Sequence, residues 1–258
     1  MKKKLTIIFG GSIDLYLKQM KTFGVIEKLN NWKFKRIAPE KLVGIIEGVK
    51  VEIRFCWNPV RDKNYEKFKK WIQKELKDIV APPASELVKT IKKTDAVLFL
   101  GLCGAFKGKR NDVYLPNEFK EILFTDSLIK KEHVLKIRPK NLIKTINILI
   151  GKVSGKVSRA LTSNLTLIDA NAENKSKEII SRLGKNLRKY GDFVEKESYQ
   201  IAKKFKGKLP LGFMVITSDV VSVKKHQMNL KKFCPEKDVK IIGWHFGEAI
   251  KAMINELK

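Results

Sequence analysis

The sequence predicts a single α/β domain spanning 1–258, and three observations predict it. Compact apolar runs of strand length alternate with helical patterns along the chain. At 258 residues, 43% of them hydrophobic, the chain can bury a large core. No 20-to-50-residue repeat and no low-complexity linker divides it.

Taken in order, KLTIIFG at Lys4 to Gly10 is a compact apolar strand, and Gly10-Gly11-Ser12 follows as a loop before a helical pattern from about Asp14 to Leu29. Leu42 to Glu47 and Val49 to Phe55 read as a hairpin around Glu47-Gly48. In its second strand Val49, Val51, Ile53 and Phe55 alternate with Lys50, Glu52 and Arg54, which predicts one buried face. Asn64 to Asp78 reads as a surface helix, Pro82-Pro83 ends the connection, and Ser85 starts a helix to about Lys93. The run AVLFLGL at Ala96 to Leu102 is apolar without alternation, the pattern of a central strand covered on both faces.

Asp112 to Leu115, Ile122 to Phe124, His133 to Ile137 and Val157 to Thr162 are predicted strands, and Ala172 to Asn186 is a predicted helix. Glu195 to Phe205 is read as a helix, Leu211 to Thr217 (LGFMVIT) as a strand, and Val239 to Leu257 as a closing amphipathic helix.

The longest apolar run, Ala96 to Phe106, falls well short of the roughly 20 residues needed to cross a bilayer. The basic start MKKK is followed by too short an apolar stretch, with no cleavage site, for a secretory signal. A cytoplasmic protein without membrane partners is expected. Cys56, Cys103 and Cys234 have neither disulfide nor zinc spacing, so no metal is expected.

The formal charge of +27 makes nucleic acid a partner to weigh. Only eight of the 54 basic residues are arginine, however, and the lysines are scattered along the chain and its polar helix faces, singly or in short runs. Specific nucleic-acid readers lean on arginine and exposed aromatics. Lysine enrichment fits a solvated surface of thermophile-like composition equally well.

Three short segments end predicted strands, where open α/β sheets place ligands: Gly10-Gly11-Ser12, Gly101-Leu102-Cys103-Gly104 and Thr217-Ser218-Asp219. Glycine pairs let backbone amides approach an anion, though a tight turn explains each pair equally. Gly10-Gly11-Ser12-Ile13 lacks the Gly-x-Gly-x-x-Gly spacing of a dinucleotide turn. Asp219 is either a site acid or the N-cap of a helix beginning near Val220. In an extended segment Glu195 and Glu197 point to one side, toward a shared ligand or toward surface lysines.

Together, the opening strand with glycine, the hairpin, the buried strand with Gly101-Leu102-Cys103-Gly104, Val194-Glu195-Lys196-Glu197-Ser198, and Thr217-Ser218-Asp219 resemble the nucleoside phosphorylase and nucleosidase family of the trimeric and hexameric type. The likeness lies in order and spacing over nearly the whole chain. It implies a central mixed, partly barrel-like sheet flanked by helices, and cleavage or transfer at the N-glycosidic bond of a purine-like nucleoside. It implies that Glu197 accepts hydrogen bonds from the ribose hydroxyls and that Asp219, with Ser218, meets the base and protonates or hydrogen-bonds it at N7. It further implies a homo-oligomer, a dimer or a trimer of dimers, and no cofactor beyond inorganic phosphate as a possible co-substrate.

The departures are as informative. Phosphorylases of this family carry an arginine two residues before the first glycine of Gly-x-x-Gly and a serine or threonine after it; here stand Phe99 and Leu102. The arginine after the hairpin glycine is Val49, and the glycine-rich run after the second hairpin strand is Phe55-Cys56-Trp57-Asn58-Pro59. Lys196 replaces the methionine that packs beneath the ribose. Either water is the nucleophile, with Asp14 as its base unless that residue is a helix N-cap, or phosphate is held by Arg54, Arg61 or Arg110. A third alternative is a catalytically altered member that binds a nucleoside or RNA through its basic surface.

Overall fold

The computed structural model describes residues 2–10, 34–38, 41–56, 84–106, 108–109, 111–125, 128–136, 158–163, 191–195, 197–220 and 236–258. For Ser218 and Asp219 the description is of the backbone. The described elements are β1 (Lys4–Gly10), β2 (Lys35–Ala38), β3 (Lys41–Ile46), β4 (Val49–Cys56), α1 (Ala84–Thr90), β5 (Ala96–Ala105), β6 (Val113–Tyr114), β7 (Pro116–Thr125), β8 (Leu128–Lys136), β9 (Ser158–Ser163), β10 (Phe193–Glu195), α2 (Ser198–Phe205), β11 (Leu211–Val220) and α3 (Glu236–Leu257). The predicted helices at 14–29, 64–78 and 172–186 lie outside the described residues.

The strands form one mixed sheet in the order β2-β3-β4-β1-β5-β10-β9-β7-β8, with β11 on the other side of β5 and β6 beside β11. β1, β4 and β11 all run parallel to their neighbours in the β4-β1-β5-β11 block. Their C-terminal ends therefore share one edge of the sheet, the edge at which such folds bind ligands.

β5 is the hub because its apolar run is covered on both faces. Ala96, Leu98 and Leu100 join Leu5, Ile7, Phe9, Met214 and Ile216 beneath α3, whose Phe246, Ala249, Ile250 and Met253 close that side. Val97 and Phe99 join Ile8, Phe213 and Val215 under α1 and α2. Burying one such Leu, Ile or Phe is worth about 1.5–3 kcal/mol, so the two layers fix the position of the central strands. α2 touches β5, β7, β8, β9 and β11. One helix can meet five strands only if the sheet curves around it, the partly barrel-like form that the family resemblance implies.

The hairpin is as predicted. Glu47 (φ 46°) and Gly48 (φ 85°) occupy the two left-handed positions of its turn, and Ile46 faces Val49. Its second strand departs from the one-faced reading, because Glu52 and Arg54 are buried as well. β4 is an interior strand, and its polar side meets α1 and the ends of neighbouring strands. Glu52 lies 2.7 Å from Lys4 Nζ, 3.1 Å from Lys41 Nζ and 2.7 Å from Arg54 Nε.

β7 and β8 are longer than their apolar cores announced, because charged residues interrupt the period without breaking the pairing. β11 runs on through Val220, so Asp219 is a strand residue and no helix starts at Val220. Glu195 belongs to β10, and α2 begins only at Ser198. Among the described residues no helix is long and apolar enough to cross a membrane.

Candidate active site

Gly10, the last residue of β1, lies in register between Cys56 of β4 and Gly101 of β5. The glycines are required by what stands over them. A Cβ at Gly10 would lie 2.6 Å from the Phe99 ring and 3.2 Å from Glu197 Oε2, and a Cβ at Gly101 would lie 2.9 Å from the same ring. The ring, fully buried, thus lies over the end of β1 and the middle of β5, with a carboxylate oxygen beside it.

That carboxylate is delivered by the start of α2. Glu197 occupies the N-cap position yet makes no side-chain capping bond. Glu195, two residues before it, supplies the cap instead. Glu195 Oε2 accepts hydrogen bonds from the backbone N–H of Glu197 at 2.5 Å and of Ser198 at 2.9 Å, and Oε1 accepts from the Ser198 hydroxyl at 2.5 Å. A helix N-terminus leaves unpaired N–H groups and a positive dipole end, which a carboxylate satisfies. Glu195 and Glu197, expected as two convergent ligand acceptors, therefore divide the work: the first holds the helix, and the second reaches the glycine edge. Both are buried.

Cys56, fully buried, faces the same edge; its thiol is pushed well above its usual range by burial, and then by the charges of Glu197 and Glu195. It therefore stays a neutral thiol at any ordinary pH, a weak donor rather than a nucleophile.

The second acid comes from β11. Gly104 of β5 has Val194 of β10 on one side and Asp219 of β11 on the other. Two interstrand spacings separate these neighbours, about 10 Å. A register shift between Thr217 and Asp219 sets Asp219, rather than Ser218, beside Gly104. The segments carrying Glu197 and Asp219 are thus brought to one end of β5.

Gly101-Leu102-Cys103-Gly104 departs from expectation. It is not a turn but the second half of a strand, paired through Val215, Ile216, Thr217 and Asp219 of β11. Pairing of that kind commits backbone groups that a phosphate loop would turn to its ligand. Cys103 is buried near Tyr114, whose phenol is pushed up to about 12 by burial and by the neighbouring Cys103, Asp112 and Asp192. Arg54 is not presented to the edge as a phosphate cation: its Nε meets Glu52 at 2.7 Å and Nη2 meets Thr90 at 3.2 Å. Gly11, Asp14, Arg61, Arg110 and Lys196, and the side chains of Ser218 and Asp219, lie outside the described residues.

Neither Phe99 nor Cys56 is a site candidate by sequence alone: Phe99 is part of a buried strand run, Cys56 one of three cysteines without disulfide or zinc spacing, both stand where the family carries other residues, and Ser198 is only part of a motif. The signal for Cys56 was its period: two residues beyond Arg54 and in line with Gly10, it sits on the α1 and α2 face. Among the described residues no group of three or more His, Cys, Asp or Glu could hold a metal ion.

No protein-family model matches the sequence, and no curated protein matches it. Solved structures do. The chain is similar to the 5'-methylthioadenosine/S-adenosyl homocysteine nucleosidase of Campylobacter jejuni, with a TM-score of 0.60 and 12% identity over 96% of this chain and 99% of that one. It is similar to a futalosine hydrolase mutant of Helicobacter pylori, with a TM-score of 0.59 and 12% identity over 98% and 99% of the two chains. The 5'-methylthioadenosine nucleosidase of Arabidopsis thaliana gives a TM-score of 0.58 and 12% identity over 100% and 97%. The chain has the fold of these nucleosidases from end to end.

Proposed function

We propose that the protein hydrolyses the N-glycosidic bond of a purine-like nucleoside. The observation that carries this reading is the buried Glu197 carboxylate, released from helix capping by Glu195 and set against Gly10 at the ligand-binding edge of a nucleosidase fold.

As the bond between the sugar and the base breaks, positive charge develops on the ribose ring and the bonding pair leaves with the base. Glu197 accepts hydrogen bonds from the ribose hydroxyls and stabilises that positive charge. Asp219, on the segment beside Gly104, protonates the purine at N7 and relieves the charge on the leaving base. A water oxygen bonds to the anomeric carbon and gives up a proton, for which Asp14 is the proposed acceptor.

Water is favoured over phosphate by the Phe99 ring at the place where phosphorylases carry arginine, by the pairing of Gly101 to Gly104 within the sheet, and by the engagement of Arg54 with Glu52. A homo-oligomer is part of the same reading, since family members form dimers or assemblies of dimers.

The test is release of free base from a panel of purine nucleosides, 5'-methylthioadenosine included, with and without phosphate. Equal release in both, with free sugar as the second product, is expected. Base release only with phosphate would reassign the reaction as phosphorolysis, and none from any nucleoside would refute the reading.

A further inference from the structure

We infer that Glu195 is a positioning residue that secures ribose selectivity by holding Glu197 in place, and is not itself a sugar ligand. The inference rests on the reading of Glu197 as the acceptor of the ribose hydroxyls.

The geometry carries it. A carboxylate has about four acceptor sites, and Glu195 directs three bonds at the helix start: Oε2 takes two backbone N–H groups and Oε1 takes the Ser198 hydroxyl. One of those N–H groups belongs to Glu197 itself, so the bond fixes the backbone from which the Glu197 side chain departs. The N-cap side chain would otherwise fold back onto the amides of its own helix, the usual fate of a capping acid. With Glu195 in that place, Glu197 makes no capping bond and its Oε2 stands at the Gly10 edge. Sequence order is essential to the device. The capping acid must lie two residues ahead of the N-cap, at the end of β10, which explains the single-residue spacing of the pair.

The two roles respond oppositely to conservative substitutions. A direct sugar ligand depends on its charge, so Glu195→Asp would be milder than Glu195→Gln. A positioning residue depends on reach: the glutamine oxygen can still accept both amides, whereas aspartate is one methylene short of them.

The assay is the ratio of kcat/KM for a ribonucleoside to that for its 2'-deoxy counterpart, measured in the intact protein for wild type, E195Q, E195D and E197Q, with thermal unfolding recorded for each. The expected result is that E195Q keeps the wild-type ratio, while E195D lowers it by about tenfold to a hundredfold, approaching E197Q. A merely structural contribution would lower the rate on both substrates and leave the ratio unchanged, so an unchanged ratio in both variants overturns the inference. A loss in E195Q as deep as in E197Q also overturns it and makes Glu195 a ligand. Should the wild type itself show no preference for the ribonucleoside, the ribose reading of Glu197 falls and the inference falls with it. The first two results leave base release and its ribose preference in the wild type intact, so the two failures are distinguishable.

Discussion

Replacing Glu197 separates its chemical role from its place in the fold. Each hydrogen bond from a hydroxyl to a charged carboxylate is worth about 1.5–3 kcal/mol. Two ribose hydroxyls on Glu197 then contribute about 3–6 kcal/mol, and at 1.4 kcal/mol per tenfold E197A should lose roughly a hundredfold to ten-thousandfold in kcat/KM. E197Q keeps one neutral acceptor and should fall in the lower half of that range. Glu197 makes no side-chain capping bond, and the helix start is held by Glu195, so the loss should occur without unfolding of α2. The assay is steady-state base release at varied nucleoside concentration, beside a thermal melt. Both kcat and KM should worsen, because the hydroxyls are held in the ground state and more tightly as charge grows on the sugar. An E197Q protein that melts like wild type and retains kcat/KM within about threefold would refute the placement of the ribose at this carboxylate.

Asp219→Asn should reduce kcat far more than it changes KM, by about a hundredfold to ten-thousandfold, the usual worth of a general acid; equal losses with a nucleoside bearing a highly activated leaving group would refute the role. Gly10→Ala should impair both stability and turnover, since its Cβ would drive into the buried Phe99 ring and crowd Glu197 Oε2. An overpacked core site costs about 1–3 kcal/mol, measurable by urea unfolding.

Glu52→Gln should destabilise the protein at neutral pH by about 3–5 kcal/mol, nearer the low end because Lys4 and Lys41 are partly exposed. Burial alone would raise the Glu52 carboxyl, but hydrogen bonds from Lys4 and Lys41 with the charges of Lys4 and Arg54 hold it below its usual 4.5. A depressed folded-state value means that the stabilisation is present above pH 4.5 and fades as pH falls through the lower folded value, so the two proteins should converge in acid.

Much of the fold is legible in local pattern. Unbroken apolar runs marked β1, β5 and β11, and a Glu-Gly turn between alternating strands marked the β3 and β4 hairpin, because backbone geometry and one- or two-sided burial act on neighbouring residues. The apolar period marks only part of β7 and of β8, since pairing to β9 and to each other sustains strands whose lysines and glutamates dilute it. Glu52 and Arg54 looked like an exposed face, because nothing within β4 tells that Lys4, Lys41 and Thr90 will meet them.

The candidate site follows the same division. Residue order by itself determined the fold class, the strand that ends at Gly10, and the presence of two acids one residue apart ahead of an apolar helix. It could not say which acid caps the helix. That was decided by the approach of α2 to the glycine edge, where one carboxylate turns back to the helix amides and the other meets Gly10 from far along the chain. Hydrogen-bond demand at a helix start is local, but the destination of the remaining carboxylate depends on packing between β1, β5 and α2, which only the folded chain brings together.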